Sequence, residues 1–170
     1  ADAQPDMMRC FAMMLLPLAA ALRVPNPSLR SFGKPAAAAA MTSLRPFRCG
    51  DLFRFNNINL DALTETYNVS FYYMYMSTWP DYFKVEEHPS GKLMGYIMGK
   101  AEGEGTLWHG HVTAVTVAPE FRRRGLGRKL MHSLERTSES VFDAYFVDLS
   151  VRVSNSLAIS MYTRFGYSVY

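Results

Sequence analysis

One stretch constrains the chain more than any other: Val115-Thr116-Val117-Ala118-Pro119-Glu120-Phe121-Arg122-Arg123-Arg124-Gly125-Leu126-Gly127-Arg128-Lys129-Leu130. A β-branched strand reaches Pro119, crosses a turn carrying Gly125 and Gly127, and passes at once into a helix with Leu126, Leu130, Met131 and Leu134 at helical spacing. A strand that turns directly onto an amphipathic helix needs a sheet with helices packed against it, so the chain reads as α/β. The junction also has the chemistry of an anion site. A helix N-terminus leaves backbone N–H groups unpaired and carries partial positive charge. Gly125 and Gly127 lack the Cβ atoms that would keep a pyrophosphate off the backbone. Arg122, Arg123, Arg124 and Arg128 add side-chain charge beside it. A solvated basic turn would explain the arginines, but not the strand, proline and helix around them.

The remaining periodicity fits the same class. Short strands are predicted at 44–48, 83–88, 93–100, 111–117, 144–151 and 167–170. Helices are predicted at 50–57, 71–78 with Ser70 as cap, 125–140, and 154–165 with Asn155 near the cap and Gly166 as the C-terminal left-handed residue. Pro89-Ser90-Gly91 reads as a hairpin turn. The order is mixed α/β around one central sheet. Of the 18 basic and 15 acidic side chains, four and two fall in residues 1–40, leaving 14 and 13 for residues 41–170. A domain this close to neutral has no general electrostatic case for nucleic acid, so no direct nucleic-acid contact is expected. Cys10 and Cys49 have neither disulfide nor metal spacing, which points to a reducing compartment.

Residues 1–40 differ in character from the rest of the chain. Prolines are scattered through them, 36–40 is a run of alanine, and Phe11–Leu22 behind Arg9 has the look of a secretory core. That apolar stretch is too short to span a membrane and contains Pro17. The expectation is a disordered, dispensable N-terminal extension over 1–40 and a single domain over 41–170.

Arg122-x-x-Gly125-x-Gly127 after Val-x-Val-x-Pro resembles the acetyl-CoA motif of the GNAT superfamily of N-acetyltransferases, and Asn155…Tyr162…Gly166-Tyr167 resembles its later motif. Leu52–Asp61, Leu63–Tyr67, Met94–Gly103 and Trp108–Ala114 are similar to the catalytic subunits of NatB-type N-terminal acetyltransferases. The segments 73–78 and 103–107 depart from that pattern. The resemblance implies a GNAT fold whose sheet splays between the fourth and fifth strands of the domain around acetyl-CoA. Because the family continues beyond Gly-Tyr-Ser-Val-Tyr, it also implies a sheet without its last strand.

The activity so implied is acetylation of protein N-termini beginning Met-Asp, Met-Glu, Met-Asn or Met-Gln. The implied setting is the cytoplasm, with a NatB auxiliary subunit, nascent polypeptides and, indirectly, the ribosome as partners, and no membrane. A GNAT enzyme acting on another amine, or an impaired form that still binds the auxiliary subunit, stays open.

By the same resemblance, Val115, Val117, Arg122, Arg123, Arg124, Gly125, Leu126, Gly127 and Asn155 hold the cofactor. Tyr162 sits near its sulfur as the catalytic phenol. Glu65 and Tyr67, in the loop between the first two helices, wall the peptide site with His111 and Thr113. Backbone N–H groups over 115–117 are placed to polarise the acetyl carbonyl. His109 and His111 share a strand face, a possible start for a metal, but no third ligand is visible and none is expected. Neither cysteine lies in the motif region, so a ternary complex rather than an acyl-cysteine is expected.

Overall fold

The short alternating runs assemble into one seven-stranded mixed sheet in a computed structural model, which describes residues 19–25 and 42–170. The strands are β1 (Ala19–Pro25), β2 (Ser43–Pro46), β3 (Lys84–Glu87), β4 (Leu93–Glu102), β5 (His109–Val117), β6 (Phe146–Arg152) and β7 (Ser168–Val169), in the order β2-β3-β4-β5-β6-β1-β7. Every neighbouring pair is antiparallel except β5 and β6, which run parallel. The helices are α1 (Asn56–Asn59), α2 (Val69–Thr78), α3 (Leu126–Ser140) and α4 (Ser156–Phe165).

Alternation along β4 divides the core in two. Tyr96 and Met98 point to the layer of α1 and α2, where they pack with Ile58, Tyr72, Tyr75 and Phe83. Ile97, from the opposite face, joins Val112, Leu130, Leu134, Leu149 and Tyr162 under α3 and α4. No helix among the described residues is long and apolar enough to cross a membrane.

Two irregularities position the site. Met98 pairs with Ala114 and Gly99 with Val112, which leaves Thr113 as an extra residue in β5. A bulge of this kind re-aims the side chains on either side of it. His109 and His111 therefore share a face with Ala114 and Thr116, while Val112 and Val115 face α3. The second irregularity is a gap. β5 and β6 pair only from His109–Phe146 to Val112–Leu149, and both strands then run on without each other. The sheet is therefore not closed there.

Two expectations need correction. Residues 19–25 are not an extension outside the domain. β1 pairs with β6 over its whole length, from Ala19↔Arg152 to Pro25↔Phe146, and with β7 through Leu22↔Val169 and Arg23↔Ser168. Leu22 and Val24 are each 1% exposed, and the Arg23 guanidinium lies 3.4 Å from the Phe146 ring centroid. The place expected to lack a strand is filled by β1. The alternation Leu22-Arg23-Val24 is a two-sided strand pattern, obscured in the sequence by the alanines before it and Pro25 after it. Residues 1–18 and 26–41, with Cys10 and most of the signal-like stretch, lie outside the described residues.

The other correction is local. The first predicted helix is a 3-10 turn over Cys49–Phe53 followed by the single turn α1, and the cap of α2 is Asn68, not Ser70. Asn68 Oδ1 accepts from the Phe71 amide at 2.8 Å and from Ser70 Oγ at 2.7 Å, so the serine assists the cap from inside the first turn.

Candidate active site

The β5–α3 junction is built as its residues require. Gly125 takes φ of 80°, in the left-handed region that favours glycine, and no side chain caps the helix it opens. The first helical bond runs from the Lys129 amide to the Gly125 carbonyl at 3.1 Å. The amides of Leu126, Gly127 and Arg128 thus have no partner within the helix. A Cβ at Gly127 would meet only Met161 Sδ, at 3.8 Å, so internal packing does not demand glycine there.

Arg123, Arg124 and Arg128 are exposed around this opening. Arg123 itself is left-handed, with φ of 64°, and Arg128 leans over Phe165. Arg122 differs. Its Nε donates to the Val117 carbonyl at 3.0 Å and its Nη2 sits 2.6 Å from Asp61, so it braces the turn against the segment after α1. Asp61 is a partner that no local pattern announces.

Val115 and Val117 pair with Ile97 and Gly95 of β4 on one side. Their other side faces the gap, where β6 has already diverged. Helix α4 borders both features, because its Met161 reaches Gly127 while Tyr162 is buried against the strands at 8% exposure. Burial alone pushes the Tyr162 phenol up to about 12, so it keeps its proton at neutral pH and can donate it. Asn155 caps α4, its Oδ1 accepting from the Ala158 amide at 3.1 Å.

On the α2 face, a second constellation lies before the gap. Glu65 forms an ion pair with Arg152 at the end of β6, joining the loop after α1 to the far side of the opening. Tyr67 stacks on Phe71 at 4.5 Å and its hydroxyl donates to the Thr113 carbonyl at 3.4 Å. The Thr113 hydroxyl is 2.9 Å from Tyr75 Oη, and Thr64 bonds Thr116. Glu65, Tyr67, His111 and Thr113 thus lie along one face of the molecule, together with Tyr75, Thr64 and Asp148, which sequence reasoning missed.

Asp148 is the most consequential of these. Its Oδ1 is 2.7 Å from His111 Nδ1 and 3.4 Å from His109 Nε2, and its Oδ2 accepts from the Tyr170 hydroxyl at 2.9 Å. Desolvation raises the carboxyl's pKa, but the hydrogen bond from His111 and the nearby imidazoles outweigh it and hold it below the ordinary 3.8. A carboxylate in the apolar run Phe146-Val147-Asp148-Leu149 was the available signal.

A group held low in the folded state contributes stability above its unfolded pKa and loses it as pH falls through the folded value. Asp148→Asn is therefore expected to lower the melting temperature at pH 7. The difference from the parent should shrink once pH passes below 3.8, read by thermal melts across the acid range.

The model of the acetyltransferase (GNAT) family matches residues 52–167, which includes the splayed strands, the glycine turn and both later helices. The chain belongs to the GNAT family. As a GNAT acetyltransferase it is 65% identical over 130 residues to N-alpha-acetyltransferase 20 of Dictyostelium discoideum, covering 76% of this chain and 75% of that one. Among solved structures it matches Chaetomium thermophilum Naa20 in complex with a bisubstrate analogue, with 47% identity, TM-score 0.71, and coverage of 75% of this chain and 72% of that one. It also matches the NatB acetyltransferase complex bound to CoA and MES, with 46% identity, TM-score 0.70, and coverage of 75% and 84%. Relatives named as catalytic subunits make this GNAT protein an acyltransferase enzyme, of the N-terminal acetyltransferase kind.

Proposed function

We propose that this chain transfers acetyl from acetyl-CoA to the α-amino group of polypeptides beginning Met-Asp, Met-Glu, Met-Asn or Met-Gln, as the catalytic subunit of a NatB-type complex. The observation that carries the reading is the gap beyond Val112 and Leu149, flanked by the bare N-terminus of α3 with its exposed arginines. Pyrophosphate is held by the amides of Leu126, Gly127 and Arg128 and by Arg123 and Arg124, and the pantetheine arm lies along the free side of Val115 and Val117. Asn155 donates to the cofactor from the start of α4.

The peptide occupies the α2 face. Thr113 and His111 meet its second side chain, and Glu65 and Tyr67 wall its first residue. An α-amino group has a pKa near roughly 7.7–8.0, so a neutral fraction exists at cellular pH. Its nitrogen attacks the thioester carbon, the C–N bond forms and the C–S bond breaks. The departing thiolate takes the Tyr162 proton, and the proton lost from nitrogen passes to the His111–Asp148 pair. Cys49 lies on the 3-10 turn Cys49–Phe53 and not on β5, α3 or α4, and Cys10 is remote from the motif region in sequence, so transfer is read as direct rather than through an acyl-cysteine.

The auxiliary subunit covers the exposed Phe53, Leu60, Leu63 and Val69 around α1 and the start of α2. The complex works on nascent chains in the cytoplasm.

Acetylation assays with peptides beginning Met-Asp, Met-Ala and Ser-Pro, with and without the auxiliary subunit, test the reading. The Met-Asp peptide is expected to turn over at least about tenfold better than the others, in line with a hydrogen-bonding pocket for the second side chain. Preference for Ser-Pro or for a lysine side chain would overturn it. Tyr162→Phe should lower kcat by roughly 100-fold with little change in the KM for acetyl-CoA. A loss confined to KM would remove Tyr162 from the chemistry.

A further inference from the structure

The end of the sheet where the last residues of β4 meet the first of β5 and β6 carries a cluster that acetyl transfer does not use in full. Glu102, His109 and His111 each offer one ligand atom, and these atoms all lie within 4.8 Å of one another. Asp148 lies beside the two histidines and offers a further carboxylate oxygen. Glu102 Oε1 is 3.9 Å from His109 Nε2 and 3.8 Å from His111 Nδ1, while Asp148 Oδ1 is 3.4 Å and 2.7 Å from the same nitrogens. A tetrahedral zinc with bonds of about 2.0–2.1 Å holds its ligand atoms roughly 3.3–3.4 Å apart. The separations of 3.4–3.9 Å lie near that spacing, while the 2.7 Å contact is the His111–Asp148 hydrogen bond, which an entering ion replaces as His111 Nδ1 gives up its proton.

The surroundings also fit. His109 Nδ1 is 2.7 Å from the Leu107 carbonyl, a contact that puts the proton on Nδ1 and leaves the Nε2 lone pair for an ion. The His109 ring is fixed by stacking on Phe146 at 4.7 Å. The Tyr170 hydroxyl holds Asp148 Oδ2, and Lys100 holds Glu102 Oε2 at 2.5 Å, so the other oxygen of each carboxylate is the one turned to the histidines. The side chains are 11% to 39% exposed, mostly enclosed yet open to solvent. Two carboxylates and two imidazoles suit a borderline divalent ion and balance its charge.

We propose that Glu102, His109, His111 and Asp148 form a binding site for a divalent transition metal, with zinc the best fit. The site shares His111 and Asp148 with the acetyl-transfer reading but does not depend on it. If that reading holds as well, metal and peptide compete for His111, and the ion is an inhibitor of the peptide side of the reaction.

Calorimetric titration of the full chain with zinc chloride, after treatment with chelator, tests the site. One ion per chain is expected. His109→Gln and Asp148→Asn should each weaken binding by at least about 100-fold, Tyr170→Phe by roughly 10-fold, and the remote His88→Gln not at all. Cobalt(II) on the unmodified chain gives a readout that needs no variant, since four-coordinate cobalt absorbs strongly in the visible. Absence of a one-to-one site, a six-coordinate cobalt spectrum, or undiminished zinc affinity in a folded His109→Gln would each overturn the proposal. With the ion bound, zinc should raise the apparent KM for a Met-Asp peptide and leave that for acetyl-CoA unchanged. Unchanged peptide kinetics would refute the competition alone, and a chain that binds zinc without acetylating any peptide would refute the acetyl-transfer reading alone.

Discussion

A chain shortened to begin at Met41 is expected to lose a large share of its stability, although every motif of the cofactor site survives in it. Leu22 and Val24 are each 1% exposed, packed with Val147, Leu149, Val151 and Tyr167. Burying such side chains contributes about 1.5–3 kcal/mol apiece. Removing β1 also strips hydrogen-bond partners from the whole of β6 and from β7, whose pairing is with β1. The combined loss should exceed about 4 kcal/mol, against a typical domain margin of roughly 5–15 kcal/mol. At this chain length that corresponds to a fall of about 10 °C or more in melting temperature. Leu22→Asp should reproduce much of it by putting a carboxylate into the core, while Arg23→Ala, which loses only its stacking on Phe146 and Tyr170, should cost far less. Calorimetry on these variants beside the full chain decides the matter. Equal melting temperatures for the full and shortened chains would remove β1 from the sheet.

Gly127→Asp should have the opposite profile, leaving the fold intact while acetyl-CoA binding drops by at least about 100-fold. The new Cβ would meet only Met161 Sδ at 3.8 Å, an ordinary contact. An acidic residue in the first turn of a helix is if anything favourable, by a few tenths to about 1 kcal/mol. The same charge would stand where the proposed site brings phosphates to the amides of Leu126 and Arg128, repelling them and occupying their space. A melting temperature at or above that of the parent, together with lost calorimetric binding, is the expected pair of results. Unchanged affinity would place the phosphates elsewhere.

What could be read from the sequence was local. Strand, glycine turn and helix succeed one another at 115–130, so the junction and its arginines were legible from spacing, as were Asn155 and Gly166 at the two ends of α4. What could not be read depends on partners distant in the chain. β1 is a strand only because β6 and β7 flank it. The bulge at Thr113 exists only in the register between β4 and β5, and it decides that the two histidines face α2. Asp148 meets His111 through a parallel pairing that no hairpin turn announces. Arg122 has the right spacing for an anion contact, yet in the fold it is engaged by Asp61 and the Val117 carbonyl.

The pairing of β1 with β6 has a consequence for the order of assembly during synthesis. The paired positions are between 121 and 133 residues apart in sequence. At roughly 5–20 residues per second, a ribosome takes on the order of ten seconds to deliver β6 after β1 has been made. Throughout that interval Leu22 and Val24 have no surface to bury against, and the half of the sheet on the far side of the gap cannot form. The β2–β3–β4 meander, whose contacts are short in sequence, can close long before. β1 is thus translated before β6 but docked only after it, and the half of the sheet that carries Asp148, with α4 packed on it, depends on its return.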